Sequence, residues 1–99
     1  MNIKNKIENR EAQIGVIGLG YVGLPLAIEF VRAGFHVIGI DVDQKKVKKL
    51  NRGENYIQDI KDEFVKNAVE MNQLSATSDF SVIQNLDAIF ICVPTPLNK

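Results

Sequence analysis

Apolar and polar positions along this chain fall into short blocks whose period alternates between strand and helix. Gln13-Ile14-Gly15-Val16-Ile17-Gly18 is a β-branched apolar run ending in glycine, the length of a parallel strand buried on both faces. A helical period follows from about Val22 to Ala33, with Glu29 and Arg32 as its solvent stripe. Pro25 falls in the first turn, where a missing N–H costs little, and Gly34 suits a left-handed cap. His36 to Asp41 reads as a second strand. Asp43 then caps a short helix through Leu50, with Val47 and Leu50 inward and Lys45, Lys46, Lys48 and Lys49 largely outward. Arg52-Gly53 ends it.

A polar loop around Glu54-Asn55-Tyr56 leads to a helix from about Ile60 to Met71. Ile60, Phe64, Val65, Ala68 and Val69 recur there at helical spacing, and Met71 and Phe64 fit the core face. Leu74 to Ser78 is a weaker third strand, and Phe80 to Gln84 a brief helical turn. Ala88 to Val93 is the most apolar strand, stopped by Pro94-Thr95-Pro96.

This alternation predicts an α/β fold: a Rossmann-type, doubly wound parallel sheet with helices on both faces and strand order 3-2-1-4. The ligand crevice should open at the carboxyl ends of strands 1 and 4, where the order reverses. Strand 4 is then an apolar edge, expected to make the chain self-associate or to leave it less stable than a longer domain.

Composition narrows the class. In a chain of 99 residues, 45% apolar and 24% charged, one compact domain is expected. Twelve basic side chains balance twelve acidic ones, which removes the electrostatic footprint of a nucleic-acid binder. A single cysteine makes no internal disulfide, and no Cys/His cluster has metal-site spacing, so no metal is expected. These features, with no apolar stretch long enough for a signal peptide or membrane span, fit a cytoplasmic protein. Met1 to Ala12, polar and alternating in charge, reads as an N-terminal arm.

The candidate chemistry lies between strand 1 and its helix. Gly18-Leu19-Gly20-Tyr21-Val22-Gly23 is a G-x-G-x-x-G turn. In a dinucleotide site Gly18 permits the tight turn, Gly20 lets pyrophosphate approach the backbone, and Gly23 lets the helix pack close. The N–H groups of the first helical turn favour phosphate charge. Three glycines in such a turn can also serve packing alone. Asp41, at the end of strand 2 and eighteen residues beyond Gly23, decides for the dinucleotide. A carboxylate about twenty residues on accepts hydrogen bonds from the adenosine ribose and repels a 2′-phosphate, which selects NAD over NADP.

These residues resemble the UDP-glucose/GDP-mannose dehydrogenase family, the nucleotide-sugar 6-dehydrogenases. Gly18 to Gly23 with Leu24-Pro25-Leu26-Ala27, and Cys92-Val93-Pro94-Thr95-Pro96-Leu97, are similar to that family's segments. Tyr21 and Thr95 are the diagnostic members, since a generic dinucleotide fold does not demand them. The resemblance implies that Tyr21 and Val22 present backbone N–H groups to pyrophosphate and that Thr95 bonds the cofactor, with Val93 and Pro94 shaping the wall. It also sets Lys46 near the ribose, although a solvated helix lysine reads equally well there.

The family oxidises the C6 alcohol of a UDP- or GDP-linked sugar to a carboxylate with two NAD molecules. Its cysteine nucleophile and assisting lysine, asparagine and aspartate match positions beyond residue 99, so this chain is expected to carry no catalytic residue. The resemblance thus makes residues 13–99 the N-terminal part of the NAD-binding domain, with UDP-sugar-binding and catalytic domains elsewhere and a homodimer or larger assembly in the parent enzyme. The Tyr56-Ile57 loop and the Val-Pro-Thr-Pro-Leu ending look most like enzymes acting on UDP-N-acetylglucosamine or its manno epimer, then UDP-glucose.

Other tempting residues read blandly. Cys92 reads as a small buried hydrophobe in an apolar strand, not a nucleophile. His36 has neither the partner nor the cleft a general base needs, and Glu54 and Asp59 sit in a polar loop. Two rivals remain open at this point: a free-standing dinucleotide-sensing module, and an NAD-linked dehydrogenase of the hydroxyacid or 6-phosphogluconate type.

Overall fold

The computed structural model describes residues 11–92. Its elements run β1 (Gln13–Ile17), α1 (Gly23–Arg32), β2 (His36–Ile40), α2 (Gln44–Asn51), α3 (Asp62–Glu70), β3 (Leu74–Thr77), a 3-10 helix (Phe80–Asn85) and β4 (Ala88–Ile91). The four strands are parallel in the order β3-β2-β1-β4, as the alternation predicts. Val16 stands opposite Gly39 on one side and Phe90 on the other.

Strand parity divides the sheet into two unlike faces. Ile14, Val16, Val37, Leu74 and Ala76 share one face and are buried with Leu24, Ala27, Ile28 and Val31 of α1 and Val65 and Ala68 of α3. This is the core. Phe30 of α1 sits edge-on to Phe35 at 6.1 Å and packs on Phe90 at 4.9 Å, which ties β4 to the helix layer. On the other face, Leu86 at the end of the 3-10 helix occupies the space above Gly15. The 3-10 turn from β3 to β4 is too short to bury that whole face. Ile89 is 38% exposed and Ile91 69%.

The two sheet edges are treated differently. Asn51, the last residue of α2, donates from Nδ2 to the Ala76 carbonyl at 2.9 Å and accepts from the Ala76 N–H at 2.8 Å. One amide side chain thus pairs both groups that Ala76 would offer a strand neighbour on the outer edge of β3. The outer edge of β4 lies next to exposed Ile89, Phe90 and Ile91.

Several local expectations shift. Ala12, read as part of the N-terminal arm, is fully buried in the core, so the packed domain begins one residue earlier. Met71 is 66% exposed: α3 ends at Glu70 and Met71 follows as its C-cap, turned out of the core face. Ile60 is buried but precedes α3, which starts at Asp62. The strands end at Ile17, Ile40 and Thr77, ahead of Gly18, Asp41 and Ser78.

Leu50 of α2 is fully buried and holds that helix to the core. Leu50→Ala should cost about 2–5 kcal/mol of stability, measured as a lower urea midpoint with an unchanged m-value.

Candidate functional site

At the carboxyl ends of β1, β2 and β4 lies a cleft of about 630 Å³, lined by the Gly18–Gly23 turn, Ile40, Asp41, Val42, Lys46, Phe80 and Cys92. The sheet order puts it there, because α1 leaves β1 on one side and the chain enters β4 from the other. Gly18, Gly20, Tyr21, Val22, Gly23, Asp41 and Lys46, separate in sequence, meet in this one space. Val93, Pro94 and Thr95 lie outside the described residues.

The glycines are required by contact. Gly18 has φ +93°, in the region that side chains disfavour, and a Cβ there would strike the Cys92 carbonyl. A Cβ on Gly23 would strike the Gly18 carbonyl, so the first residue of α1 packs directly on bare backbone. Gly20 is different: its missing side chain leaves open space, with only Lys46 Nζ near, 3.8 Å from where a Cβ would stand. α1 begins there with Val22 as N-cap, no side-chain cap and no acidic residue in its first turn. A helix end without a side-chain cap above a bare glycine offers N–H donors to an anionic oxygen.

Asp41 has two engagements that the sequence did not show. Its Oδ2 accepts the Leu19 N–H at 2.8 Å and its Oδ1 accepts the Asp43 N–H at 2.8 Å. Asp43 in turn caps α2 by accepting from the Lys45 N–H at 2.9 Å. The carboxylate is therefore fixed between the glycine turn and the start of α2. A carboxylate offers about four acceptor positions, so two remain for a ligand in the cleft.

The sequence places Tyr56 in a polar loop and gives it no contact with the glycine turn, yet its hydroxyl donates to the Leu19 carbonyl at 2.7 Å. Its segment is rigid. Asn55 accepts from the Ile57 N–H and donates to the carbonyls of Ile57 and Ile60, while Ile57 and Ile60 are buried. Burial, then the negative charges of Asp41 and Asp43, push the Tyr56 hydroxyl well above its ordinary pKa of 10.0.

Val42, 78% exposed, and Phe80, 39% exposed, give the cleft apolar walls beyond Asp41. Neither was singled out from sequence. The signal was there for Phe80, an aromatic residue one step after Asp79, whose carboxylate caps the 3-10 helix by accepting from the Ser81 N–H at 3.0 Å. Cys92, read as a buried hydrophobe, is only half-buried and follows β4 at the cleft wall. His36 lies away from the cleft and meets the Asn72 carbonyl through Nδ1 at 3.3 Å. Among the described residues no three His, Cys, Asp or Glu side chains gather as a metal site, and no helix is long and apolar enough to cross a membrane.

A turn that admits only backbone, a helix end without a side-chain cap and a fixed carboxylate across from them suit a dinucleotide. The family model described as the NAD-binding domain of the UDP-glucose/GDP-mannose dehydrogenase family matches residues 12–99. The chain belongs to this family. As an NAD-binding domain of the UDP-glucose/GDP-mannose dehydrogenases, it is 45% identical over 84 residues to a UDP-N-acetyl-D-mannosamine dehydrogenase of Salmonella typhi, covering 84% of this chain and 19% of that one. A UDP-N-acetyl-D-glucosamine 6-dehydrogenase of the same organism is 39% identical over 88 residues, covering 89% and 20%. The crystal structure of a ternary complex of GDP-mannose dehydrogenase from Pseudomonas aeruginosa superposes with a TM-score of 0.78 at 34% identity, over 87% of this chain and 20% of that one. The chain thus spans about a fifth of the length of these relatives.

Two outcomes follow for stability. Asp41→Ala leaves the buried Leu19 N–H without its acceptor and should cost about 1–3 kcal/mol, whereas Asp41→Asn keeps an acceptor and should cost less; urea unfolding of both variants measures the difference. The second concerns pH. The unfolded chain releases the Tyr56 proton near pH 10, while the folded chain holds it to higher pH. Stability drawn from Tyr56 is therefore complete below pH 10 and is lost as pH rises above it. Urea midpoints of the wild-type chain should fall relative to Tyr56→Phe between pH 9 and pH 11, taken as roughly one unit either side of the ordinary value.

Proposed function

We propose that this chain holds NAD for a nucleotide-sugar 6-dehydrogenase that oxidises the C6 hydroxyl of a UDP-N-acetylhexosamine, glucosamine or its manno epimer, to the uronic acid. The observation that carries the reading is the cleft itself, where Gly18, Gly20 and Gly23 bare the backbone opposite Asp41. The backbone N–H groups of Gly20, Tyr21 and Val22 would hold the pyrophosphate at the positive end of α1. The free acceptor positions of Asp41 would take the adenosine ribose hydroxyls, and Val42 and Phe80 would flank the adenine. Lys46, with its Nζ beside Gly20, adds positive charge on the phosphate side. By the family resemblance, Thr95 would hydrogen-bond the cofactor, with Val93 and Pro94 shaping the wall beside it.

When bound, NAD supplies the hydride acceptor for the alcohol. This chain's own part is to fix the cofactor's position and to select it by charge, because Asp41 faces the ribose and repels a 2′-phosphate. Sugar binding and the covalent steps belong to the rest of a parent enzyme, in which residues 13–99 form the N-terminal part of the dinucleotide domain. That enzyme is read as cytoplasmic and as a homodimer or larger. The substrate preference is supported by relatives whose names specify UDP-N-acetyl sugars.

Calorimetric titration of the chain with NAD and with NADP tests the cofactor reading. NAD should bind at least tenfold more tightly, a difference of about 1.4 kcal/mol. Equal binding of the two would remove the role given to Asp41, and no binding of either to the folded chain would remove the whole site reading.

A further inference from the structure

Leu19 is held at three points. Its N–H is bonded by Asp41 Oδ2 at 2.8 Å and its carbonyl by the Tyr56 hydroxyl at 2.7 Å. Its side chain is fully buried in space that Gly39 leaves open, where a Cβ would come within 2.6 Å of Leu19 Cδ2. Peptide planarity turns these contacts into directions. The Leu19 N–H shares a plane with the Gly18 carbonyl, and the Leu19 carbonyl shares a plane with the Gly20 N–H, each pair antiparallel across a trans bond. Asp41 therefore sets the first plane, whose carbonyl is the one packed against Gly23. Tyr56 sets the second.

We propose that Tyr56 is a positioning residue for the dinucleotide: its hydroxyl, through the Leu19 carbonyl, aims the Gly20 N–H at the pyrophosphate. The proposal deepens the cofactor reading above and rests on it for the identity of the ligand. Glycine at position 20 makes such a device necessary. Gly20 has no side chain and open space beside it; its carbonyl accepts from the Leu24 N–H at 3.1 Å, which fixes the peptide plane that follows it and not the plane that carries its own N–H, and glycine has the widest range to choose from. Orientation must come from its neighbours. Tyr56 is suited to supply it, because Asn55 fixes its backbone through three hydrogen bonds within the 55–60 segment. The hydroxyl also stays a donor at all physiological pH values, being buried near Asp41 and Asp43. A donor set in advance does not have to be ordered when the ligand arrives, which is a direct gain in affinity.

The test is Tyr56→Phe in the full chain, which keeps the ring and removes only the donor. In the ligand-free protein, the backbone ¹⁵N resonance of Gly20 and the carbonyl ¹³C of Leu19 report the bond to the Leu19 carbonyl. Both should move upfield in the variant, with the resonances of the β-sheet unchanged. NAD affinity, measured by calorimetry, should fall about three- to tenfold, the range expected for one hydrogen bond. 3-Fluorotyrosine placed at position 56, a stronger donor of nearly the same shape, should move the Gly20 resonance the opposite way and keep NAD affinity. It also decides the matter should Tyr56→Phe fail to fold.

An unmoved Gly20 resonance overturns the proposal. So does a Tyr56→Phe chain that is less stable but binds NAD as the wild type does, since the hydroxyl would then only brace the fold. If the wild-type chain binds no NAD, the cofactor reading fails and the proposal's claim on pyrophosphate falls with it. A wild-type chain that binds while Tyr56→Phe binds equally well leaves the cofactor reading standing and overturns the proposal alone.

Discussion

The close approach of bare backbone at one end of the sheet governs the rest of this structure. Gly18 turns the chain out of β1 directly under the Cys92 carbonyl, and Gly23 starts α1 directly on the Gly18 carbonyl. A methyl group at either position would separate β1 from β4 or lift α1 from the turn. Because neither is present, the end of α1 sits low over the sheet with no side-chain cap, and the main chain of the Gly18–Gly23 turn lines the cleft. The shape of the cleft follows from that placement. The side chains around the cleft then either hold the turn, as Asp41 and Tyr56 do, or wall the space, as Val42 and Phe80 do.

Much of this was legible in the residues taken in order. Strand order, the position of the crevice and the Gly18–Asp41 relation depend on short-range periodicity and on connection rules that leave few alternatives. Gly34, with φ +98°, and Asp43, capping α2, act as their residue types imply. What escaped was side-chain reach across the fold. Tyr56 lies in a segment whose neighbours are polar, and its partner is 37 residues away in sequence. No local pattern encodes that distance. The same holds for Asn51, which looks like the end of a basic helix and instead takes the place of a strand beside Ala76. Met71 errs in the other direction: its apolar character fits the helical period, but the helix has ended.

The unlike treatment of the two sheet edges belongs with the family assignment. β3 has the outward groups of Ala76 paired by the Asn51 amide, whereas β4 presents apolar side chains on both of its faces. In a Rossmann arrangement a strand of that composition has neighbours on both sides. The comparisons agree in kind: the relatives that match this chain over more than four-fifths of its length are matched over only about a fifth of their own. On the helix side Phe30 packs on Phe90, which still leaves Phe90 40% exposed.

The double engagement of Asp41 bears on how cofactor preference could change over evolutionary time. In many sites a discriminating charge can be exchanged freely, because nothing else depends on it. Here the same carboxylate bonds the amide of Leu19 and the amide of Asp43, so on the proposed reading the choice of cofactor and the shape of the turn are inherited as one trait. A lineage moving toward a phosphorylated ribose would first have to find another acceptor for the Leu19 N–H. Until then, any substitution that removes that acceptor would loosen the turn on which the proposed site is built.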